Sequence, residues 1–246
     1  MKIVVVGGTG LIGSQVVALL RDGGHEVVAA APSTGVDTLT GQGLAQALKG
    51  ADVVVDVSNS PSFEDEAALD FFTRSAQHLI AAEKEADVRH HVTLSIVGVD
   101  QVPDYGYYRA KVAQEEAVRD GGVPYSIVRA AQFFEFIAPV MGMSAQGVEV
   151  HLPPTRLRPI ASADVAAAVA EAAQGEPSYG VRNIAGPEVH RLDRLGEITL
   201  AAKPDGRTVV TDENAGLFAS MPDGVLIGDE TAHLAATRYE DWLKRN

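Results

Sequence analysis

A glycine-rich turn directly after the first apolar run constrains the fold of this chain more than any other feature. Ile3–Val6 is an unbroken β-branched run, as expected for a strand buried on both faces of a parallel sheet. Leu11–Leu20 then has the spacing of an amphipathic helix. The turn consists of Gly7, Gly8, Thr9, Gly10, Leu11, Ile12 and Gly13. This order predicts the first unit of a doubly wound α/β sheet.

The glycines of this turn stand where a dinucleotide site needs them. Gly7 and Gly8 permit a tight turn and a close approach of the backbone to a pyrophosphate, and Gly13 lets the helix pack on the strand. The helix N-terminus offers free N–H groups and a partial positive charge to the anion. The pattern alone arises by chance in a chain with 24 glycines, but its place between a strand and a helix is the context the motif requires. We therefore predict that the whole turn binds a dinucleotide.

Strand and helix periods alternate along the first half of the chain and loosen after about residue 130. Apolar, strand-like runs recur at 26–30, 52–57, 91–97 and 125–128. Further along, the spacing predicts a helix over 164–173, a strand over 181–185 and helices over 191–202 and 231–244. We predict one α/β domain of the Rossmann type over residues 1–246, with a doubly wound parallel sheet. Residues 1–130 form the nucleotide-binding core in this prediction, and 131–246 form mainly a small C-terminal cap on the substrate side and terminal helices.

Charge and composition argue against several classes of binding partner and of chemical site. The chain has 20 Lys and Arg against 33 Asp and Glu, a net charge of −13, which argues against nucleic acid and anionic membranes as partners. The absence of cysteine excludes disulfides, thiolate metal sites and a cysteine nucleophile. His90 and His91 are neighbours that point to opposite faces of a strand, so we expect no metal site. No run approaches the ~20 apolar residues of a membrane helix, and the first apolar run is too short for a signal peptide. We expect a cytoplasmic protein that acts on a small molecule.

The end of the second strand bears on which nucleotide is bound. An NAD-selective site usually carries Asp or Glu there to hold the ribose hydroxyls, whereas this strand ends in alanines followed by Pro32. Ser33 and Thr34 come next and are able to accept a 2′-phosphate, although no arginine accompanies them. We therefore favour NADP(H) over NAD(H). Asp37 either meets the adenine amino group or serves as a turn residue.

Tyr107, Lys111 and Ser95 form a candidate catalytic set. Tyr107 and Lys111 share a helix face at the i, i+4 spacing, and an ammonium beside a phenol lowers the pKa of the phenol. Such a tyrosine transfers a proton while a nicotinamide transfers hydride. Ser95 ends a strand, where it would polarise a substrate carbonyl. The alternative is a surface Tyr–Lys pair and a structural serine.

Seven stretches of the chain match motifs that occur together in one protein family. They are Val5–Gly13, Gly50–Val55, Leu94–Val99, Tyr107–Lys111, Pro124–Phe133, Ile160–Ala166 and Ile184–Pro187. With them the chain resembles the NmrA-like, NAD(P)H-binding group of atypical short-chain dehydrogenases/reductases. The resemblance implies an oxidoreductase whose Lys111 also holds the cofactor ribose and whose Ala130 lies beside the nicotinamide. This chain departs from the family in an abbreviated stretch before the third strand and in lacking a basic residue near Ser33.

Further candidate residues follow two other strands. Ser58 and Asn59 end the third strand and are candidates for contact with the cofactor ribose or nicotinamide. The residues Phe133, Phe134, Phe136 and Met141 follow the fifth strand as an apolar group. They form either a core under a loop or the wall of a pocket for a planar apolar substrate. The helix around Phe71 and Phe72 is either a homodimer face or core.

These residues support one leading function and two alternatives. The leading prediction is an NADPH-dependent reductase of a small carbonyl or quinone, in which Ser95 polarises the carbonyl, Tyr107 donates the proton and Lys111 tunes Tyr107. Some NmrA-like proteins are redox sensors that lack the tyrosine, so a non-catalytic dinucleotide sensor is the first alternative. A sugar-type epimerase or dehydratase that uses the nucleotide transiently is the second.

Overall fold

The computed structural model describes residues 1–216 and 218–246. Its strands are β1 (Lys2–Val6), β2 (Glu26–Ala30), β3 (Val53–Asp56), β4 (His90–Ile96), β5 (Tyr125–Ala130), β6 (Ala145–Gln146), β7 (Glu149–Leu152), β8 (Arg156–Leu157), β9 (Val181–Ala185), β10 (His190–Arg191), β11 (Thr208–Thr211) and β12 (His233–Leu234). Its helices are α1 (Leu11–Asp22), α2 (Leu44–Leu48), α3 (Asp65–Glu85), α4 (Gly106–Asp120), α5 (Ile137–Met143), α6 (Ser162–Gln174), α7 (Leu192–Ala202) and α8 (Tyr239–Leu243). Within these described ranges, no helix combines the length and apolar character needed to cross a membrane.

Seven strands form the main sheet, in the order β12-β9-β5-β4-β3-β1-β2. The pairs β1–β2, β1–β3, β3–β4 and β9–β12 are parallel, and Val4 pairs with Val28 on one side and Val54 on the other. The chain leaves β1 toward one edge to form β2 and then crosses to the other side of β1 for β3. This order confirms the predicted doubly wound α/β fold.

The chain divides into two compact units. The first contains Met1–Arg129 and Val165–Arg182, and the second contains Ala130–Asp164 and Asn183–Asn246. Most of α6 belongs to the first unit.

The core of the first unit explains why its strands are uniformly apolar. Val4 and Val54 are fully buried, and on that side of the sheet they cluster with Leu48 of α2 and Leu79 of α3. A strand covered by helices loses the polar–apolar alternation of a half-exposed strand. Phe72 of α3 is also fully buried and packs with Ala68 and Ala110, so Phe72 is core and not part of a homodimer face.

The second unit has its own small sheets and corrects one prediction from the sequence. Strands β6, β7 and β11 form a three-stranded sheet, and β8 pairs with β10. The helix expected over 231–244 is wrong, because β12 and the short α8 occupy that range. In β12 His233 and Leu234 pair with Ile184 and Ala185, and Ala235 N–H donates to the Ala185 carbonyl, so pairing to β9 overrides the helical spacing.

We expect the adjacent histidines of β4 to make opposite contributions to the pH dependence of stability. His91 is 2% exposed; burial alone would lower its pKa, but the charge and hydrogen bond of Glu83, 2.7 Å away, raise it above 6.5. Its contribution is therefore complete below pH 6.5 and is lost as pH rises through the raised pKa. Burial lowers the pKa of His90 below 6.5, so His90 costs stability as pH falls from 6.5 through that lowered pKa.

Urea unfolding at several pH values tests this expectation. The free energy of unfolding of His91→Gln should decline less than that of the wild type above pH 6.5. His90→Gln should soften the decline below pH 6.5. Equal pH profiles for the wild type and both variants would contradict the assignment.

Candidate functional site

The backbone of the glycine turn leaves the N-terminus of α1 exposed and without a side-chain cap. Gly7 has a φ of +77°, a conformation that favours glycine, and its carbonyl accepts the Gly10 N–H at 2.9 Å. Gly10 is the N-cap of α1, and no side chain caps the helix there. The first N–H groups of a helix have no partner inside it, so α1 offers them outward. Thr9, Gly10 and Leu11 are exposed at this end, with Leu11 50% accessible, which leaves room for a phosphate group.

Three of the four glycines are required by the protein itself, and Gly10 is the exception. A Cβ on Gly13 would lie 2.1 Å from the Gly7 carbonyl oxygen, and one on Gly8 would lie 2.7 Å from the Val5 carbonyl oxygen. A Cβ on Gly7 would lie 2.8 Å from the Val57 carbonyl oxygen. On Gly10 the nearest atom, the Gly7 carbonyl oxygen, would be 3.3 Å away. A substitution at Gly10 should therefore affect the approach of a ligand more than the folding of the protein.

This difference predicts opposite outcomes for two alanine variants. Gly13→Ala should lower the free energy of unfolding by at least 1–3 kcal/mol, roughly the cost of overpacking, because its Cβ meets fixed backbone. Gly10→Ala should change it by about 0.5 kcal/mol or less, as at an ordinary surface position. Urea unfolding followed by circular dichroism measures both. Comparable losses in the two variants would contradict this division of roles.

After β2, where we expected contacts to the adenosine part of the nucleotide, the side chains of Thr34 and Asp37 bond to the backbone of the protein. The Thr34 hydroxyl accepts the Ala31 N–H at 2.9 Å and lies 3.0 Å from the Ala29 carbonyl oxygen, so it closes the turn after β2. Asp37 accepts the Leu39 N–H at 2.8 Å through Oδ1, which supports the turn alternative. Ser33 is exposed and is the candidate that remains open to a 2′-phosphate.

Tyr107 lies near the start of α4 and its hydroxyl donates a hydrogen bond to Asn59 Oδ1. Its ring packs against Phe63, with the ring centroids 5.2 Å apart, and edge-on against the buried Phe72. Burial raises the pKa of Tyr107 well above its ordinary value, Tyr105 raises it further, and the hydrogen bond to Asn59 opposes both. The prediction that Lys111 lowers the pKa of Tyr107 is wrong. Tyr107 is a neutral phenol that donates hydrogen bonds.

Lys111 is 4% exposed and its ammonium is engaged below the surface. Nζ donates to the Leu94 carbonyl oxygen at 2.8 Å and to Gln114 Oε1, and it lies 4.6 Å from the centre of the Phe72 ring. Burial lowers its pKa to about 8, opposed by Asp56 and Glu115. These bonds hold Lys111 in the interior, which corrects its predicted contact with the Tyr107 phenol and leaves its predicted contact with ribose unsupported.

Ser95 is the sixth residue of β4 and is 4% exposed. Its hydroxyl has less than 1 Å² accessible, and within the described part of the chain it reaches no hydrogen-bond partner in good geometry. It nevertheless lies near Glu115 and contributes to the lowered pKa of that carboxyl. Ser95 is therefore closed to a substrate in this structure, and its role in polarising a substrate carbonyl stays a prediction.

Asp56 and Gln114 are buried polar residues of this region that reasoning from the sequence missed. Asp56 ends β3 at 2% exposure and Gln114 lies on α4 at 1% exposure, with Gln114 Nε2 donating to Asp56 Oδ2 at 2.8 Å. Asp56 Oδ1 accepts both the N–H and the hydroxyl of Ser58, at 3.0 and 2.6 Å. A lone acid inside the apolar run 53–57 was the available signal, because a buried carboxylate needs partners.

The other predicted cofactor residues fall into accessible and buried groups. Asn59 is exposed and Ser58 is half-buried, so both stay candidates at the carboxyl end of β3. Ala130, in contrast, is 2% exposed at the end of β5.

Of the four apolar residues predicted to follow β5 as a group, two are buried in the core and two are half-buried. Phe134 is 2% exposed and its ring packs on those of Tyr239 and Trp242, with centroids 5.0 and 5.7 Å apart. Met141 is 1% exposed. Both are core side chains, which corrects their prediction as a pocket wall, since a wall must be accessible to a ligand. Phe133 and Phe136 are half-buried and stay candidates.

The glycine turn lies within the region that matches a known protein family. A family profile described as NAD(P)H-binding matches residues 7–176. A (4-alkanoyl-5-oxo-2,5-dihydrofuran-3-yl)methyl phosphate reductase of Streptomyces griseus is 34% identical over 145 residues, 53% of this chain and 48% of the relative. The photosystem II assembly factor Ycf39 of Cyanophora paradoxa is 26% identical over 149 residues, 55% of this chain and 46% of the relative. The chain thus spans about half the length of these curated relatives.

Solved structures share the fold at low identity. A dTDP-4-dehydrorhamnose reductase from Bacillus anthracis, solved in complex with NADP, superposes with a TM-score of 0.78 at 14% identity and covers 99% of this chain and 97% of its own. Likeness at this identity shows the fold alone. The family profile, in turn, confirms the NAD(P)H-binding family that the sequence motifs predict.

Proposed function

We propose that this chain, which belongs to the NAD(P)H-binding family, is an oxidoreductase that reduces a small conjugated carbonyl or quinone. The observation that carries the proposal is the exposed N-terminus of α1 at Gly10, which no side chain caps and where an added Cβ would meet less backbone than at the other glycines of the turn. The Streptomyces relative is named as the reductase of a 5-oxo-2,5-dihydrofuran, which contains such a conjugated carbonyl.

The residues around Tyr107 fit a role in binding the substrate oxygen. When bound, reduced nicotinamide supplies the hydride. Tyr107 stays protonated through the physiological range because burial raises its pKa, so it donates a hydrogen bond to the oxygen on which negative charge develops. Asn59 holds the same hydroxyl before the substrate arrives. Ser58 and Asn59 are the polar groups available at the end of β3.

The engagement of Lys111 elsewhere favours conjugated substrates over simple ketones. A simple ketone gives an alkoxide, a strong base that needs a proton from a nearby acid, and among the described residues the Lys111 ammonium is bonded to Leu94 and Gln114 instead of to Tyr107. Hydride addition to a quinone or enone gives a delocalised and weaker base, which can take its proton from water. Tyr107 then needs only to donate a hydrogen bond.

The exposed Ser33 supports a modest preference for NADP(H) over NAD(H). Ser33→Asp should repel the 2′-phosphate and spare the ribose hydroxyls, so we expect weaker binding of NADPH and nearly unchanged binding of NADH. Parallel calorimetric titrations of the two nucleotides measure both. Tighter binding of NADH than of NADPH by the wild type would overturn the preference.

One observation favours a dinucleotide sensor as the second candidate. Ser95 and Lys111 are both buried within the protein, so two of the three predicted catalytic groups are absent from an accessible site in the described residues. A sensor needs the glycine turn and no proton transfer. The Ycf39 relative, named as an assembly factor, is compatible with a binding role. The epimerase alternative rests on likeness of fold.

Turnover distinguishes the two candidates. Purified protein, NADPH and a panel of quinones, enones and simple ketones are mixed, and nucleotide absorbance is followed with time. We expect oxidation of NADPH with at least one conjugated substrate and slower oxidation with simple ketones. Binding of NADPH without oxidation across the panel would favour the sensor.

A cytoplasmic location and a homodimer stay predictions from the sequence.

A further inference from the structure

A chain of buried polar side chains connects α4 to the end of β3. Lys111 Nζ donates to Gln114 Oε1, and Gln114 Nε2 donates to Asp56 Oδ2 at 2.8 Å. None of the three side chains belongs to a residue more than 4% exposed. Burial of such groups is costly unless each one is bonded, so the three depend on one another.

The amide of Gln114 can stand in only one orientation. A carboxylate accepts hydrogen bonds and an ammonium donates them, so the NH₂ group must face Asp56 and the oxygen must face Lys111. The amide thus separates two opposite charges and satisfies both. An apolar side chain at this position would leave a buried carboxylate and a buried ammonium each short of a partner.

At its Asp56 end, this series of hydrogen-bonded side chains reaches the glycine turn. Asp56 Oδ1 holds the N–H and hydroxyl of Ser58, so each carboxylate oxygen has a separate task. The backbone of Val57 and Ser58 lies directly against Gly7, where a Cβ would come within 2.8–2.9 Å of their atoms. A displacement of Asp56 would therefore move the segment that packs on the turn.

We propose that Gln114 is a positioning residue of the dinucleotide site, which sets Asp56 so that Asp56 fixes Ser58 and the backbone beside Gly7. The inference rests on the proposed function, because it presumes that the glycine turn binds NADP(H). Gln114 acts only through Asp56 and Ser58. Removing its amide should weaken nucleotide binding without removing any group that contacts the nucleotide.

Two variants of Gln114 test this role with NADP⁺ as the probe. Gln114→Met keeps the length of the side chain and removes the amide, so we expect about tenfold weaker binding by calorimetry, as with other outer partners of binding-site groups. Gln114→Glu places a second carboxylate against Asp56, near Lys111 and Glu115. At pH 8 the two carboxylates repel, whereas at lower pH one shared proton restores a donor between them.

The pH series separates positioning from simple loss of packing. The ratio of the Kd for NADP⁺ of Gln114→Glu to that of the wild type should fall toward one between pH 8 and pH 5.5, while the ratio for Gln114→Met should stay constant. Glu116→Gln, on an exposed position of the same helix, is the matched control and should bind like the wild type. If Gln114→Met fails to fold, the Gln114→Glu series decides alone.

The outcomes distinguish this inference from the proposed function. Wild-type affinity in folded Gln114→Met, or a Gln114→Glu ratio independent of pH, would overturn the role of Gln114 while leaving the dinucleotide site in place. Failure of the wild type to bind NADP⁺ would overturn both.

Discussion

Tyr107→Phe is expected to lower turnover of an accepted ketone or enone by about 10²–10³-fold, roughly the effect of removing one donor from a developing oxyanion. The variant keeps the ring that packs on Phe63 and Phe72 and removes the hydroxyl that donates to Asn59. The fold and the affinity for NADPH should therefore survive. Steady-state rates of NADPH oxidation, with thermal unfolding as a check on folding, measure the effect.

Tyr108 supplies the matched control for this experiment. It is the next residue of α4, about 100° around the helix, and is 3% exposed. Tyr108→Phe should retain most of the activity. With a quinone as substrate, the loss in Tyr107→Phe should be smaller, because the negative charge of the reduced quinone is delocalised further than that of a reduced ketone or enone. A wild-type rate of Tyr107→Phe with a ketone or enone would remove Tyr107 from the site and move the sensor ahead.

Arg129→Met should lower the free energy of unfolding by about 3 kcal/mol, the lower end of the cost of breaking a buried ion pair, because Glu115 loses both bonds from Arg129 and keeps the one from Arg119. Arg129 Nε and Nη2 donate to the two oxygens of Glu115 at 2.8 and 2.7 Å, and Nη1 donates to Asp100 at 2.8 Å. Glu115 is fully buried; burial alone would raise its pKa, but the hydrogen bonds from Arg129 hold the pKa below its ordinary value. Chemical unfolding in urea gives the difference.

Arg119 is the control for Arg129, since it bonds the same carboxylate from the outside. Its Nη2 donates to Glu115 Oε2 at 2.7 Å, but its side chain is 34% exposed. Arg119→Met should cost about 1 kcal/mol or less, in the range of a solvent-exposed pair. Equal losses in the two variants would show that burial does not decide the strength of these pairs.

The fold of the first unit was predictable because its signals are local. The apolar run before Gly7 and the helical spacing after it predict β1 and α1, and both elements lie where expected. The predicted strand over 181–185 is also found with those bounds. The helix expected at 231–244 failed because pairing of Leu234 with Ala185 is a long-range contact that the local spacing does not encode.

The candidate site was less predictable because its strands are buried on both faces. In a strand without polar–apolar alternation, the sequence does not say which side chains are accessible to a ligand, and it did not predict the burial of Ser95. On α4, Lys111 has neighbours at helical spacing in both directions, among them Tyr107 at i−4 and Gln114 at i+3. The sequence cannot choose between them, and the carboxylate of Asp56 beyond Gln114 decides the outcome.

Calorimetric titration of NADPH into the wild type and Gly10→Val tests the central claim most directly. Gly10 tolerates a Cβ within the protein better than the other glycines of the turn, so the variant should fold while its branched side chain blocks the pyrophosphate. We predict measurable binding by the wild type and at least tenfold weaker binding by the folded variant, about 1.4 kcal/mol. Equal affinities, or a wild type that does not bind NADPH, would contradict a dinucleotide site at this turn.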